Sequence, residues 1–325
     1  MKVRKVALLL SLIVFGMGGV VGAQAQSFPK KAISLVVVWP AGGSHDIAAR
    51  MVAENIDKSL GEPVVITNVT GAAGSNGMRH VAQAEPDGYT IGLMGMHALV
   101  QSFMNPNAPS LDSFEPLVFM AQEPGSLQVR SDLGINNIEE YVQKLKDSPG
   151  SLIHGNDAMG GNTFVYTKLL EEYFDVELTK VPYPGHAANT GALVSGEIES
   201  AAMPVSTIAQ HHEAGTVKTL GVMAEERSSL LPDVPTFKEQ GHNLVSGDYY
   251  IFFMPKGVPD EVAQTLESAF LKAIQNPALQ QRMEDMGMTS SPGGRDIARQ
   301  VLAEQEAIIY PILLNGDLVH ESLIK

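Results

Sequence analysis

The chain has 325 residues, no cysteine, and 22 basic against 36 acidic residues, a formal charge of -14. An acidic balance of this size repels nucleic acid and anionic membrane surfaces. The absence of cysteine excludes a disulfide framework, thiol catalysis, cysteine-ligated zinc and a lipid-modified cysteine.

Lys2, Arg4 and Lys5 precede an apolar run at 6–21, and Ala23-Gln24-Ala25 follows as an A-x-A site. This is the pattern of a secretory signal, expected at 1–25 and cleaved after Ala25; the run is short for a membrane anchor, which is the alternative. Cleavage removes three of the 22 basic residues, leaving 19 against 36 acidic ones and a net charge of -17. The mature protein is expected to be soluble in a bacterial periplasm. Its roughly 300 residues suggest two lobes rather than one core.

The mature chain alternates strand and helix patterns. An apolar β-branched strand at 35–38 runs into the turn Pro40-Ala41-Gly42-Gly43, after which Ser44, His45 and Asp46 open a helical pattern. A strand, a glycine turn and a helix start form the place where open α/β sheets bind ligands. The first amides of a helix lack internal partners and carry positive partial charge, so an anion fits there without lysine or arginine. The alternative is a capped helix, with Ser44 or Asp46 as the cap.

A strand at 64–68 and a second glycine-rich turn, 71–77, lead to a helix at 78–84 and a strand at 89–94. This β-α-β-α-β order predicts a parallel sheet with right-handed crossovers. The G-x-x-G-x-x-G spacing of that turn is not a dinucleotide fingerprint. Residues 95–116 read as loop. Short strands at 117–120 and 127–129 flank Glu123-Pro124-Gly125, a first crossing between lobes. Helices at 138–146, 164–174, 189–195 and 206–214 then alternate with strands at 152–154, 178–182, 198–203 and 217–223. The segment 155–163 reads as a loop. A strand at 249–254 is the return crossing, and helices at 261–275, 277–286 and 297–313 close the chain. The lobes are expected at 26–122 with 252–325, and at 123–251.

The ordered motifs identify a family. They are Phe28-Pro29-Lys30-Lys31, Pro40-Ala41-Gly42-Gly43, Asp46-Ile47-Ala48-Ala49-Arg50, Leu60-Gly61-Glu62-Pro63, Asn68, Gly71-Ala72-Ala73-Gly74 with Gly77, and Pro86-Asp87-Gly88-Tyr89-Thr90. Later come Val181-Pro182-Tyr183, Gly196-Glu197-Ile198, Glu226-Arg227-Ser228, Leu231-Pro232-Asp233-Val234-Pro235-Thr236 and Glu239-Gln240-Gly241. The set covers nearly the whole mature chain and resembles the Bug family of periplasmic solute-binding proteins, the receptors of tripartite tricarboxylate transporters.

The resemblance implies a two-lobed α/β (Venus flytrap) fold with two parallel-rich sheets and two crossing strands. It implies capture of a small organic acid between the lobes and delivery to the membrane subunits of a transporter. The protein is expected to be a monomer without cofactor or metal. One ligand carboxylate would be gripped by Ala41, Gly42, Gly43 and Ser44, and by the turn Pro184, Gly185, His186 and Ala187. The chain departs from the family pattern at Ser44, His45, His186 and Tyr249. It also departs in the loop 155–163, where Lys168 stands about where a histidine is usual. The ligand of a relative therefore does not transfer.

Histidines at the strand ends are candidate ligand contacts: His45, His97 and His186, with His154 weaker. Each is otherwise an exposed loop residue. Asp46 and Asp157 are candidates for a ligand ammonium, although Asp46 in a first helical turn also stabilises that helix. Asn156, Asn162 and Thr163 are uncharged donors, and Trp39 and Tyr249 candidate apolar walls. Against an enzyme, G-x-S-x-G and H-E-x-x-H are both absent. A sensory receptor serving a signalling partner would use the same fold.

Overall fold

The computed structural model describes residues 28–325 apart from residue 158; the expected signal segment lies outside them. The strand after the N-terminal motif, β1 (Ile33–Val37), is buried on both faces apart from the half-buried Ser34, as the apolar run from Leu35 to Val38 requires. Ile33, Leu35 and Val37 pack with Ala48, Ala49, Met51, Val52 and Ile56 of α1 (Ser44–Leu60). Val36 and Val38 face the other way, toward Met78 and Val81 of α2 (Ser75–Ala82).

β1 lies between β2 (Val64–Asn68) and β3 (Thr90–Met94) and is parallel to both. The second half of the chain repeats this arrangement. β5 (Ile153–Asp157) lies between β6 (Thr179–Tyr183) and β7 (Ser200–Pro204), again parallel to both. Strand order reverses at β1 and at β5. The two crevices outside their carboxyl ends are therefore the ligand positions of a doubly wound sheet.

The expected helices α4 (Ile138–Asp147), α5 (Asn162–Phe174), α6 (His186–Ser195) and α7 (Val205–Glu213) all form, as does β8 (Val217–Val222). So do the closing helices α8 (Asp260–Ile274), α9 (Pro277–Asp285) and α10 (Arg295–Asn315).

Three expectations need correction. Residues 95–116 are not all loop, because α3 (Met96–Met104) forms there with Met96 to Phe103 buried. Its polar residues His97, Gln101 and Ser102 are buried as well, so α3 lacks the charged, solvent-facing stripe that marks a surface helix in the sequence. The short strands at 117–120 and 127–129 are one strand, β4 (Phe114–Arg130), of 17 residues. Pro116 and Pro124 suggested breaks, but two register irregularities near 117 and 120 let the ladder continue past Pro116. The loop expected at 155–163 begins later, since β5 extends to Asp157.

β4 joins the halves. It pairs antiparallel with β9 (Gly247–Pro255) from Phe114 to Pro124, and with β7 and β8 from Gly125 onward. The order is β2-β1-β3-β9-β4-β7-β5-β6, with β8 also on β4. Where the partners change, Gly247 lies against the Glu123 backbone. A Cβ on Gly247 would stand 2.3 Å from that carbonyl oxygen. Backbone cannot swing aside as a side chain does. Gly247→Ala is therefore expected to destabilise the fold by about 1–3 kcal/mol, read by urea unfolding. An unchanged midpoint would mean that the crossing strands separate easily.

Candidate functional site

A cavity of about 600 Å³ opens between the halves, lined by Trp39, Pro40, Gly43, Ser44, His45, His97, Glu123, Asp157, Gly161, Asn162, Gly185, His186, Ser206, Thr207 and Asp248. Four helices begin on it: α1 at Ser44, α5 at Asn162, α6 at His186 and α7 one residue before Ser206. The residues preceding α5, α6 and α7 make no side-chain cap, although at α5 the Thr163 amide donates to Asn162 Oδ1 at 3.0 Å and to Asp157 Oδ2 at 3.4 Å. Each helix start carries roughly half a positive charge on its free amides. The lining contains no lysine or arginine, so these amides and His186, the lining histidine whose pKa is raised, supply its positive potential.

Sequence reasoning named nine of these lining residues: Trp39, Gly43, Ser44, His45, His97, Asp157, Asn162, Gly185 and His186. It missed Glu123 and Asp248, which face each other across β4 and β9. An acidic residue inside or beside an otherwise apolar strand was the available signal. Ser206 and Thr207, just after Pro204 at a helix start, were also missed, as were Pro40 and Gly161.

Other expected contacts lie elsewhere. Ala41, Gly42, Pro184 and Ala187 are exposed parts of the two turns and do not line the cavity. Tyr249 is a core residue, not a wall, because successive residues of β9 face opposite ways and Asp248 takes the cavity side. Thr163 is spent on its own loop, accepting from Asp157 N at 2.6 Å. Asn156 is buried outside the lining. His154 lies near the other end of β5, bonded to Ser200 at 2.9 Å with Tyr141 beside it. Burial pushes its pKa down to about 3.

Asp46 holds the first turn in shape and does not reach the cavity. One carboxylate oxygen accepts from Gly42 N and Arg50 Nε, both at 2.9 Å. The other accepts from Arg50 Nη2 and Asn68 Nδ2, also at 2.9 Å. The Arg50 hydrogen bonds, helped by Gly42 and Asn68 against the cost of burial, lower its pKa to about 2. This is the helix-stabilising alternative foreseen for Asp46.

On the cavity wall, His45 stacks on Tyr250 with ring centroids 4.3 Å apart, and His97 packs edge-on to Trp39 at 4.2 Å. Burial lowers the pKa of both rings. For His45, Asp248 and the Tyr249 backbone offset part of that effect; for His97, the neighbouring His45 adds to it. His186 differs. Its Nε2 lies 2.9 Å from Asn162 Oδ1 and 3.6 Å from Asp157 Oδ2. Burial works against its charged form, but Asp157, with Glu123 and Asp248, outweighs that and raises its pKa. Glu123 accepts from Tyr250 Oη at 3.0 Å and from Ser206 Oγ. Burial chiefly, and Asp248 in addition, hold its pKa above the usual carboxylate value against those two bonds.

Residues 48–314 match the family described as tripartite tricarboxylate transporter family receptor. The chain belongs to this family. Its members are solute-binding proteins, not enzymes. One UPF0065 protein of Bordetella pertussis is 33% identical over 282 residues, which is 85% of this chain and 87% of that protein. A TctC solute-binding protein from Polaromonas superposes with a TM-score of 0.79 at 26% identity, covering 89% of this chain and 99% of that one. MatC from Rhodopseudomonas palustris, solved with bound malate, superposes at 0.71 with 25% identity, over 87% of this chain and all of that one. The fold is thus the two-lobed α/β fold of periplasmic binding proteins. Among the described residues, no helix is long and apolar enough to cross a membrane.

Asp46→Asn is expected to loosen the turn before α1. The shift from 3.8 to about 2 corresponds to roughly 2 kcal/mol, reduced to about 1 by screening at half-exposed Arg50. A lowered carboxylate pKa stabilises the fold fully above the unfolded value and loses that effect as pH falls toward 2. The difference in stability between wild type and Asp46→Asn should therefore be present at pH 6 and shrink between about pH 4 and pH 2. A pH-independent difference in urea unfolding would contradict this role.

Proposed function

We propose that this chain is an extracytoplasmic receptor that holds a small carboxylate-bearing solute between its lobes and delivers it to the membrane subunits of a tripartite tricarboxylate-type transporter. The observation that carries this reading is the convergence of four helix starts on one cavity without a lysine or arginine. Such a site binds an anion through fixed amides. Family membership and a structural neighbour with bound malate support the solute class.

In this reading the solute carboxylate lies against Gly43, Ser44, Gly185 and His186. His186, whose charged form Asp157, Glu123 and Asp248 favour, meets it as a cation. Residues 26–122 with 252–325 form one lobe and 123–251 the other. Closure is a hinge motion where β4 changes partners near Pro124 and Gly125. The closed form, a monomer exported by its signal and cleaved after Ala25, is what the transporter recognises. The family supports a transporter over a signalling partner.

The test is a thermal-shift and calorimetric screen of the protein from residue 26 against malate and a panel of mono-, di- and tricarboxylates. A solute that binds only the folded state raises the midpoint by mass action. Gly43→Val should fold normally, because a Cβ there meets only Pro40 O at 3.6 Å, yet lose at least about tenfold in affinity (~1.4 kcal/mol). Normal affinity in that variant would remove the turn from the site, and no shift with any acid would sink the carboxylate reading.

The raised pKa of His186 also sets a pH dependence. The ring is charged below its folded pKa, which lies above 6.5. Affinity should therefore be highest at mildly acidic pH and fall as pH rises through that value. His186→Gln should flatten this profile between pH 6 and pH 8; an unaltered profile would exclude His186 as the titrating contact.

A further inference from the structure

We propose that His45, His97 and Asp248 form a binding site for one divalent transition-metal ion of the zinc class on the cavity wall, with a coordination position open to the solute. One ring nitrogen from each histidine and one carboxylate oxygen of Asp248 all lie within 4.8 Å of one another. The donor atoms of a four-coordinate zinc site stand about 3.3–3.5 Å apart. His45 Nε2 and Asp248 Oδ2 are already at 3.8 Å, so side-chain tips need to move by less than about an ångström.

Independent features point to an ion. His45 and His97 are 4% and 3% exposed, and the Nε2 atom of each is buried without a hydrogen-bond partner. Buried ring nitrogens are normally paired, and an unpaired set facing one carboxylate is a set of ligands. Asp248 is held in place from behind. Its Oδ1 accepts from Met96 N at 2.7 Å and from Tyr249 N at 2.9 Å, while Oδ2 faces His45. Such an outer hydrogen-bonded shell orients a metal ligand.

Two glycines keep the space. A Cβ on Gly95 would stand 2.4 Å from Asp248 Oδ1 and 2.6 Å from His45 Nε2, and one on Gly74 would stand 3.0 Å from the His97 ring. Two imidazoles and one carboxylate suit zinc, cobalt, nickel or copper better than magnesium or calcium, which take oxygen ligands. All three residues line the cavity. A solute carboxylate oxygen can therefore complete the coordination, and the ion would offset the acidic groups Glu123, Asp157 and Asp248. This departs from the expectation of no metal. Ligands at 45, 97 and 248 have no sequence spacing to read.

The role of the open position rests on the solute reading above, but binding of the ion does not. The experiment is therefore run without any organic acid. Chelator-treated protein is titrated with Zn²⁺ alone by calorimetry and with Co²⁺ alone by visible absorption. One equivalent should bind, with the absorption of a four-coordinate cobalt site. In the wild-type protein, ring-nitrogen NMR signals of His45 and His97 should shift with Zn²⁺. His97→Gln and Asp248→Asn should each weaken binding at least tenfold; the asparagine oxygen can still accept from Met96 N, so α3 keeps its cap. The pair His211→Gln and His212→Gln, in the last turn of α7 and outside the cavity lining, should bind as wild type. Absence of stoichiometric binding would overturn the proposal. So would unshifted His45 and His97 rings, binding that survives His97→Gln, or binding lost with the His211 and His212 pair. A failed carboxylate screen leaves this outcome readable, and a failed metal titration leaves the carboxylate test standing.

Discussion

The antiparallel ladder between β4 and β9 is the constraint on which the cavity depends. β4 is bonded to β9 over Phe114 to Pro124 and to β7 and β8 beyond Gly125, so a single strand belongs to both halves. This register sets Glu123 opposite Asp248, and both line the cavity. Asp248 in turn accepts from the first amide of α3. A pair of strands therefore fixes the acidic floor of the site and the start of the helix that carries His97.

The electrostatics of the cavity follow from opposed sources. Four helix starts and His186 bring positive potential, while Glu123, Asp157 and Asp248 bring carboxylates. Most polar groups on the walls are engaged with one another: His186 with Asn162 and Asp157, Glu123 with Ser206 and Tyr250. The exceptions among buried wall atoms are the Nε2 atoms of His45 and His97 and the Oδ1 atom of Asp157, left without partners. Recognition built from backbone amides tolerates changes in solute shape. In the proposed reading, side chains such as His45, His186 and Ser206 carry the discrimination among acids.

Much of this was legible before any coordinates. The turn at 40–44 was readable because a strand, glycines and a helix start are local signals, and the turn at 184–187 through the same pattern and the family resemblance. The two turns do face one cavity through Gly43, Ser44, Gly185 and His186. Local patterns also placed nearly every helix and strand. Elements whose nature is set by distant neighbours were misread. α3 shows no charged, exposed face because it is buried all round, its His97, Gln101 and Ser102 included. β4 contains prolines that break a strand in isolation, yet it is held by ladders on both sides. Tyr249 was misassigned because facing alternates along a strand and Asp248 took the cavity side.

The sequence by itself determined the alternating α/β pattern, the family, the two glycine turns that meet the cavity and the lack of hydrolytic motifs or cysteine chemistry. These are properties of short stretches, where glycine, proline and apolar spacing act through local backbone geometry. Only the tertiary structure decided which side chains share the cavity. Asp46 and His45 are adjacent in sequence, yet Asp46 is committed to Arg50, Asn68 and the Gly42 amide while His45 turns to meet His97 and Asp248. Successive side chains at a helix start point about 100° apart. Residues 97 and 248 reach the same wall because strand order places β3 beside β9, a pairing between segments more than 150 residues apart that no local pattern encodes.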